Sequence, residues 1–261
     1  MKGIAFFVEG DTEYDFILQL LLKSKYCTFG EPKKVKGVCI MESTDNRYRI
    51  RICNAGSDSR VKDELWDSQD KLQESGYTMF LCLRDLRGAW KKGSPKTIND
   101  VVKIKNTDSK ILKLNDDNLS IYSILAVMEI ETWFIAETSH YERIDPRLTR
   151  QFIETKTDDT KEKVNPYKCS PKKIVHPYET LKDIYNLVGL TYEKDPRHRR
   201  RTINALDYSF LTKDVAAKIE QDLQPELSAK SKLEPYYNDK FGSLLTLVNA
   251  LDKFFGKNTT L

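Results

Sequence analysis

A chain of 261 residues with 39% hydrophobic and 10% aromatic side chains has the composition of a folded protein, and its length allows one large domain or a core with a smaller appendage. The net charge of +4 is too small to identify a nucleic-acid partner by itself. The longest apolar stretch, near Ile17–Leu22, falls far short of a membrane span, and Met1-Lys2-Gly3-Ile4 enters a strand-like run without signal-peptide architecture, so a cytoplasmic protein with no membrane partner is expected.

Gly3–Val8 is a short apolar run suited to a strand buried on both faces. Glu9-Gly10-Asp11-Thr12 follows as a turn with helix-capping residues, and Tyr14 to Lys25 reads as a helix with Phe16/Leu20 and Ile17/Leu21 at i, i+4. Val35–Met41 is a second strand. Arg47–Cys53 alternates polar residues with Tyr48, Ile50 and Ile52, as a half-exposed strand does. Ser57–Glu74 is helical, and Ser75-Gly76 ends it. Thr78–Leu83 is an apolar strand running into Arg84-Asp85. Gly88–Lys96 is a loop rich in Gly, Pro and Lys, and Val101–Ile104 and Ile111–Leu114 are ambiguous in type. Ser120–Met128 is another buried strand, continued by a helix over Glu131–Glu137. The alternation of strands and helices predicts an α/β core over residues 1–145, a mainly parallel sheet flanked by helices. Residues 146–261 read as a mainly helical region packed on it. Arg150–Pro171 is a polar linker there, and Tyr178–Val188, Asp214–Leu223 and Ser243–Phe255 are its helices.

Ligands of open α/β sheets bind at the carboxyl ends of the strands. Three strands here run into carboxylates: Glu9 after Phe6-Phe7-Val8, Asp85 after Leu83-Arg84, and Glu129 and Glu131 after Val127-Met128. Mg²⁺ takes hard oxygen ligands, commonly one or two carboxylates with waters and phosphates, and can assist phosphodiester cleavage through activated water. The plain alternative is that these acids favour helix N-termini through the helix dipole. Other chemistries have less support. The five cysteines (Cys27, Cys39, Cys53, Cys82, Cys169) show no C-x-x-C spacing, and His140, His176 and His198 fall in no ligand spacing, so free thiols and no zinc site are expected. Gly88–Ser94 lacks the lysine of a P-loop, and no Gly-x-Ser-x-Gly occurs.

Val8-Glu9-Gly10-Asp11-Thr12-Glu13 resembles the first motif of Toprim domains, which occur in topoisomerases, bacterial primases and the nucleases of the OLD (overcoming lysogenization defect) group. The chain as a whole resembles small bacterial Toprim-like proteins, including RloB-like ones tied to phage defence. The resemblance rests on that turn, on the strand ending at Asp85, and on Glu129-Ile130-Glu131-Thr132-Trp133, with Pro171-Lys172-Lys173-Ile174 and the arginines around Arg199-Arg200-Arg201 behind them. It implies a Toprim-like core in which Glu9, Asp85 and Glu131 are catalytic. The metal ligands would be Glu9, Asp85, Glu129 and Glu131, with Glu13 nearby. Mg²⁺, or Mn²⁺ in its place, would be the cofactor. The Asp-x-Asp motif of Toprim domains reads Asp85-Leu86-Arg87 here. Arg87 then either grips a phosphate with its planar guanidinium or marks a site that has lost catalysis.

Basic residues flank these motifs. Arg84, Arg87, Lys91, Lys92 and Lys96 surround Trp90, and Lys194–Arg201 holds five basic residues against one acid. Either cluster is a substrate-phosphate contact or a solvated surface. Under the first option Arg87, Lys91, Lys92, Arg199, Arg200 and Arg201 bind the backbone of a nucleic acid. The expected function is a Mg²⁺-dependent nuclease acting on DNA or RNA in anti-phage defence. The alternative is a non-catalytic Toprim-like module that binds nucleic acid or a partner ATPase. A homo-oligomer is compatible with both, and nucleotidyl transfer of the primase type is a third reading.

Overall fold

The structure, a computed structural model, describes residues 1–23, 26–86, 110–127, 129–158, 164–170, 174, 176–192, 215–219 and 240–256. Seven strands form one sheet: β1 (Lys2–Val8), β2 (Lys33–Val35), β3 (Val38–Glu42), β4 (Tyr48–Asn54), β5 (Tyr77–Leu86), β6 (Ser120–Val127) and β7 (Phe241–Gly242), in the order β2-β3-β4-β1-β5-β6-β7. The pairs β4–β1, β1–β5, β5–β6 and β6–β7 are parallel; β3 alone runs against its neighbours. This is the mainly parallel α/β sheet expected from the alternation of elements.

The two faces of β1 explain why its sequence is apolar throughout. Ile4, Phe6 and Val8 face one side, and Ala5 and Phe7 face the other. Helix α1 (Asp11–Leu22) buries Phe16, Ile17, Leu20 and Leu21 on the first face, and α2 (Asp58–Glu74) buries Val61, Leu65 and Leu72 on the second. The remaining labelled helices join the α1 side: α3 (Glu131–Ala136), α4 (His140–Ile144), α5 (Arg150–Asp158), α6 (Pro177–Asn186) and α7 (Leu244–Phe255) all contribute to that cluster. Opposite placement of α1 and α2 follows from right-handed crossovers that leave β1 in one direction and pass back over it in the other.

Several boundaries differ from the sequence reading. Val35–Met41 is not one strand. Lys36 (φ +45°) and Gly37 (φ +78°) both take left-handed conformations, the requirement of a two-residue hairpin turn, and pair Val35 with Val38. Asp85 lies within β5 rather than after it, opposite Ala126 of β6. The polar stretch from Arg150 begins with a helix, α5, because Ile153 and Thr157, one turn apart, are buried. Of Asp214–Leu223, residues 215–219 are helical and the rest lies outside the described residues.

The carboxyl-terminal region is also more than a helical cap. Phe241-Gly242 extends the sheet beside Ser123-Ile124, and α7 then crosses the sheet to the start of β1 and β4. Lys2 Nζ donates to the Phe254 carbonyl at 3.2 Å, Tyr48 Oη to the Phe255 carbonyl at 3.3 Å, and Tyr26 Oη to Asp252 Oδ1 at 2.7 Å. The indole N–H of Trp133 in α3 reaches Ser243 Oγ at 3.2 Å, at the head of α7. All five cysteines are free thiols, and Cys39, Cys53 and Cys82 are buried. Among the described residues no helix is long and apolar enough to cross a membrane.

Candidate functional site

Among the described residues the strand order changes direction between β1 and β5. β1 passes through α1 and the β2–β3 hairpin to β4 on one side, whereas β5 leads to β6 on the other. Where neighbouring strands send their chains apart, the carboxyl edge opens between them, and ligands of open α/β sheets bind there. Glu9 directly follows β1 and Asp85 lies near the end of β5, so the two flank that edge.

The ladder between β1 and β5 pairs Val8 with Leu83 and then stops. Beyond it the Asp85 backbone N–H donates to Glu9 Oε2 at 3.0 Å. The Glu9 carboxylate therefore takes the place that a continuing β1 carbonyl would occupy, and it holds the two strand ends together. Asp85, only 7% exposed, accepts the Ile130 N–H on Oδ1 at 3.0 Å, which joins β5 to the turn before α3. The preceding Arg84 points to the opposite face, where its buried guanidinium donates from Nη1 to Asp58 Oδ1 at 3.0 Å, in the first turn of α2. One strand end thus sends a carboxylate to one face and a guanidinium to the other.

Glu13, in the first turn of α1, is buried. Its Oε2 lies 3.2 Å from where a Cβ on Gly10 would sit, so glycine at position 10 admits the close approach of that carboxylate to the turn. In capping boxes the third helical residue reaches back in this way to the helix start.

Glu129 and Glu131 flank Ile130 in the chain but have other engagements. Glu129 Oε2 accepts the Tyr178 N–H at 2.9 Å. Tyr178 is the second residue of α6, whose N-cap, His176, makes no side-chain cap bond, so Glu129 serves as a cap from a distance. Glu131 is fully buried, and its Oε1 accepts the Tyr192 O–H at 3.1 Å. Behind it, the Tyr185 ring lies edge-on to Tyr192 and close to His140. Burial lowers the His140 imidazole to about 4, so the ring is neutral near pH 7. Nδ1 faces the Glu137 carbonyl and must donate to it; Nε2 is then the acceptor, and the Tyr185 O–H donates at 2.9 Å.

Among the described residues no group of three or more His, Cys, Asp or Glu side chains is arranged to hold a metal ion. Of the expected ligands, Glu9 accepts the Asp85 N–H, Glu129 accepts the Tyr178 N–H and Glu131 accepts the Tyr192 O–H. Two carboxylates still fit the hard-oxygen chemistry of Mg²⁺, which commonly binds protein through one or two carboxylates and completes its shell with phosphate and water. Arg87, Lys91, Lys92, Trp90, Lys96 and the Lys194–Arg201 run, with Arg199, Arg200 and Arg201, lie outside the described residues, as do all of Gly88–Ile104 and the Pro171–Lys173 segment.

Asn54, which ends β4 beside β1, is a polar strand end without a carboxylate. Its Nδ2 donates to Asp11 Oδ1 at 2.8 Å and its Oδ1 accepts the Gly56 N–H at 2.9 Å. Its mark in the sequence is a polar residue closing an alternating strand and followed by Gly56-Ser57 at a helix start.

No family model and no curated protein matches the chain. A crystal structure described as a hypothetical protein, PH0156 from Pyrococcus horikoshii OT3, aligns with 97% of this chain and 99% of its own, at 16% identity and a TM-score of 0.45.

Proposed function

We propose that the protein is a Mg²⁺-dependent nuclease that hydrolyses phosphodiester bonds of DNA or RNA, with Glu9 and Asp85 at its centre. The observation that carries this reading is the hydrogen bond from the Asp85 N–H to Glu9, which seats two acidic strand ends together at the crevice where β1 and β5 part. The Toprim-like motifs support it from the sequence. Glu9 and Asp85 would hold the cation. The bound ion would supply Lewis-acid charge neutralisation at the scissile phosphate.

The chain's own residues do the rest. Asp85 keeps the turn before α3 in place through the Ile130 N–H, and Glu9 keeps β1 and β5 in register at their ends. Glu129 and Glu131, the other expected ligands, also tie the start of α3 to α6 and to Tyr192. The basic run from Lys194 follows Tyr192 closely in sequence, so Arg199, Arg200 and Arg201, with Arg87, Lys91 and Lys92, are the residues proposed to bind substrate phosphates. The setting inferred from the resemblance is the bacterial cytoplasm, in defence against phage, with self-assembly or a partner ATPase. A second reading, a non-catalytic nucleic-acid-binding or ATPase-partner module, draws on Asp85-Leu86-Arg87 standing where Toprim domains have Asp-x-Asp.

Cleavage of mixed DNA and RNA with Mg²⁺ or Mn²⁺, wild type beside Glu9→Gln, separates the two. Glutamine can still accept the Asp85 N–H but loses the charge a cation needs, so the nuclease reading expects metal-dependent cleavage that the substitution reduces at least about a hundredfold. Salt-sensitive nucleic-acid binding without cleavage in either protein supports the module instead.

A further inference from the structure

We propose that Asn54 is a positioning residue for Glu9, acting across the sheet through Asp11. This deepens the reading of Glu9 as a site residue and rests on it. The β1–α1 turn is strung between its two neighbours. On the β5 side, Glu9 receives the Asp85 N–H at 3.0 Å. On the β4 side, two residues later, Asp11 receives Asn54 Nδ2 at 2.8 Å. Between them stands Gly10, whose carbonyl accepts the Tyr14 N–H at 3.0 Å.

Asn54 is itself fixed on several sides. It pairs with Val8 in the parallel ladder, and the Ala55 N–H donates to the Val8 carbonyl at 2.9 Å. Its own N–H donates to the Gly37 carbonyl at 2.9 Å, in the β2–β3 turn. Its side-chain oxygen is held by the Gly56 N–H at 2.9 Å, which leaves the amide nitrogen turned toward Asp11. An amide satisfies both contacts because it carries a donor and an acceptor; a carboxylate in its place offers only acceptors and repels Asp11. A side chain on β4 therefore decides where the segment carrying Glu9 sits.

The test reads Glu9 through the amide it protects. Amide hydrogen exchange would be followed by NMR at Asp85, Gly56 and Phe6 in wild type, Asn54→Asp, Asp11→Ala and the double variant D11N/N54D. Loss of the Asn54–Asp11 bond is expected to speed exchange at Asp85 about tenfold in both single variants. Exchange at Gly56 should hold, since its acceptor survives in each, and Phe6 in β1 reports global opening. In D11N/N54D amide and carboxylate change places, the bond is remade in the opposite sense, and exchange at Asp85 returns to the wild-type rate. Unchanged exchange at Asp85 in Asp11→Ala overturns the proposal, as does a double variant no slower than Asn54→Asp. Asp11→Ala leaves β4 untouched, so it decides the matter if Asn54→Asp does not fold. Because exchange needs neither metal nor substrate, an absence of cleavage in the wild type counts against the nuclease alone.

Discussion

Glu129→Ala separates a cap from a metal ligand. In the structure Glu129 Oε2 sits 2.9 Å from the N–H of Tyr178, at the start of the ten-residue helix α6, whose local N-cap supplies no side-chain bond. Removing a capping side chain costs about 1 kcal/mol in most helices, and a carboxylate near the positive helix terminus adds a few tenths to about 1 more. The expected loss is therefore about 1–2 kcal/mol. In a protein of this size that lowers the melting temperature by roughly 3–6 °C. Glu129→Gln keeps an acceptor and gives up only the charge, so it should fall about midway between alanine and wild type. Thermal and urea unfolding followed by circular dichroism measure both variants, and the Mg²⁺ dependence of any cleavage is measured beside them. The reasoning expects lower stability with an unaltered metal dependence. It is refuted if Glu129→Ala melts within about a degree of wild type. A simultaneous loss of metal dependence would return Glu129 to the ligand set that its place in the sequence suggests.

Two further outcomes test the frame around the site. A Cβ on Gly3 would lie 2.7 Å from Cγ and Cδ1 of Tyr77 and 2.9 Å from its Cα, at the irregular start of the β1–β5 ladder; Gly3→Ala should thus cost about 1–3 kcal/mol in urea unfolding, and a neutral result would show that β5 yields easily there. Burial holds His140 near 4 in the folded chain against 6.5 ordinarily, so its contribution to stability is complete above about pH 6.5, falls as pH drops toward about 4, and changes no further below that. The difference in unfolding free energy between wild type and His140→Gln should follow that window with a span of up to roughly 3 kcal/mol, and a flat difference would refute it.

Much of the frame was legible from local pattern. Gly3–Val8 reads as a buried strand because every residue in it is apolar, and α1 and α2 declare themselves by apolar residues one turn apart. The turn at Lys36-Gly37 was missed because Val35–Met41 is apolar enough to read through a hairpin, and the sign of φ at Lys36 is not written in its hydropathy. The start of α5 was missed because its exposed face is strongly polar, and burial of Ile153 and Thr157 becomes visible only once a neighbour covers them. β7 is two residues long, below any pattern's reach.

Chain order alone places Glu9, Asp85, Glu129 and Glu131 near strand ends, because strand length and alternation are set by residues close in sequence. Which of those acids meet was decided by tertiary structure. Strand order put β1 beside β5 and so joined Glu9 to Asp85 across 76 positions, while α6 claimed Glu129 and Tyr192 claimed Glu131. Asn54 became a partner of the same turn only because β4 is the other neighbour of β1. A carboxylate can accept from any donor within about 3 Å, and packing, not the local sequence, selects which donor stands there.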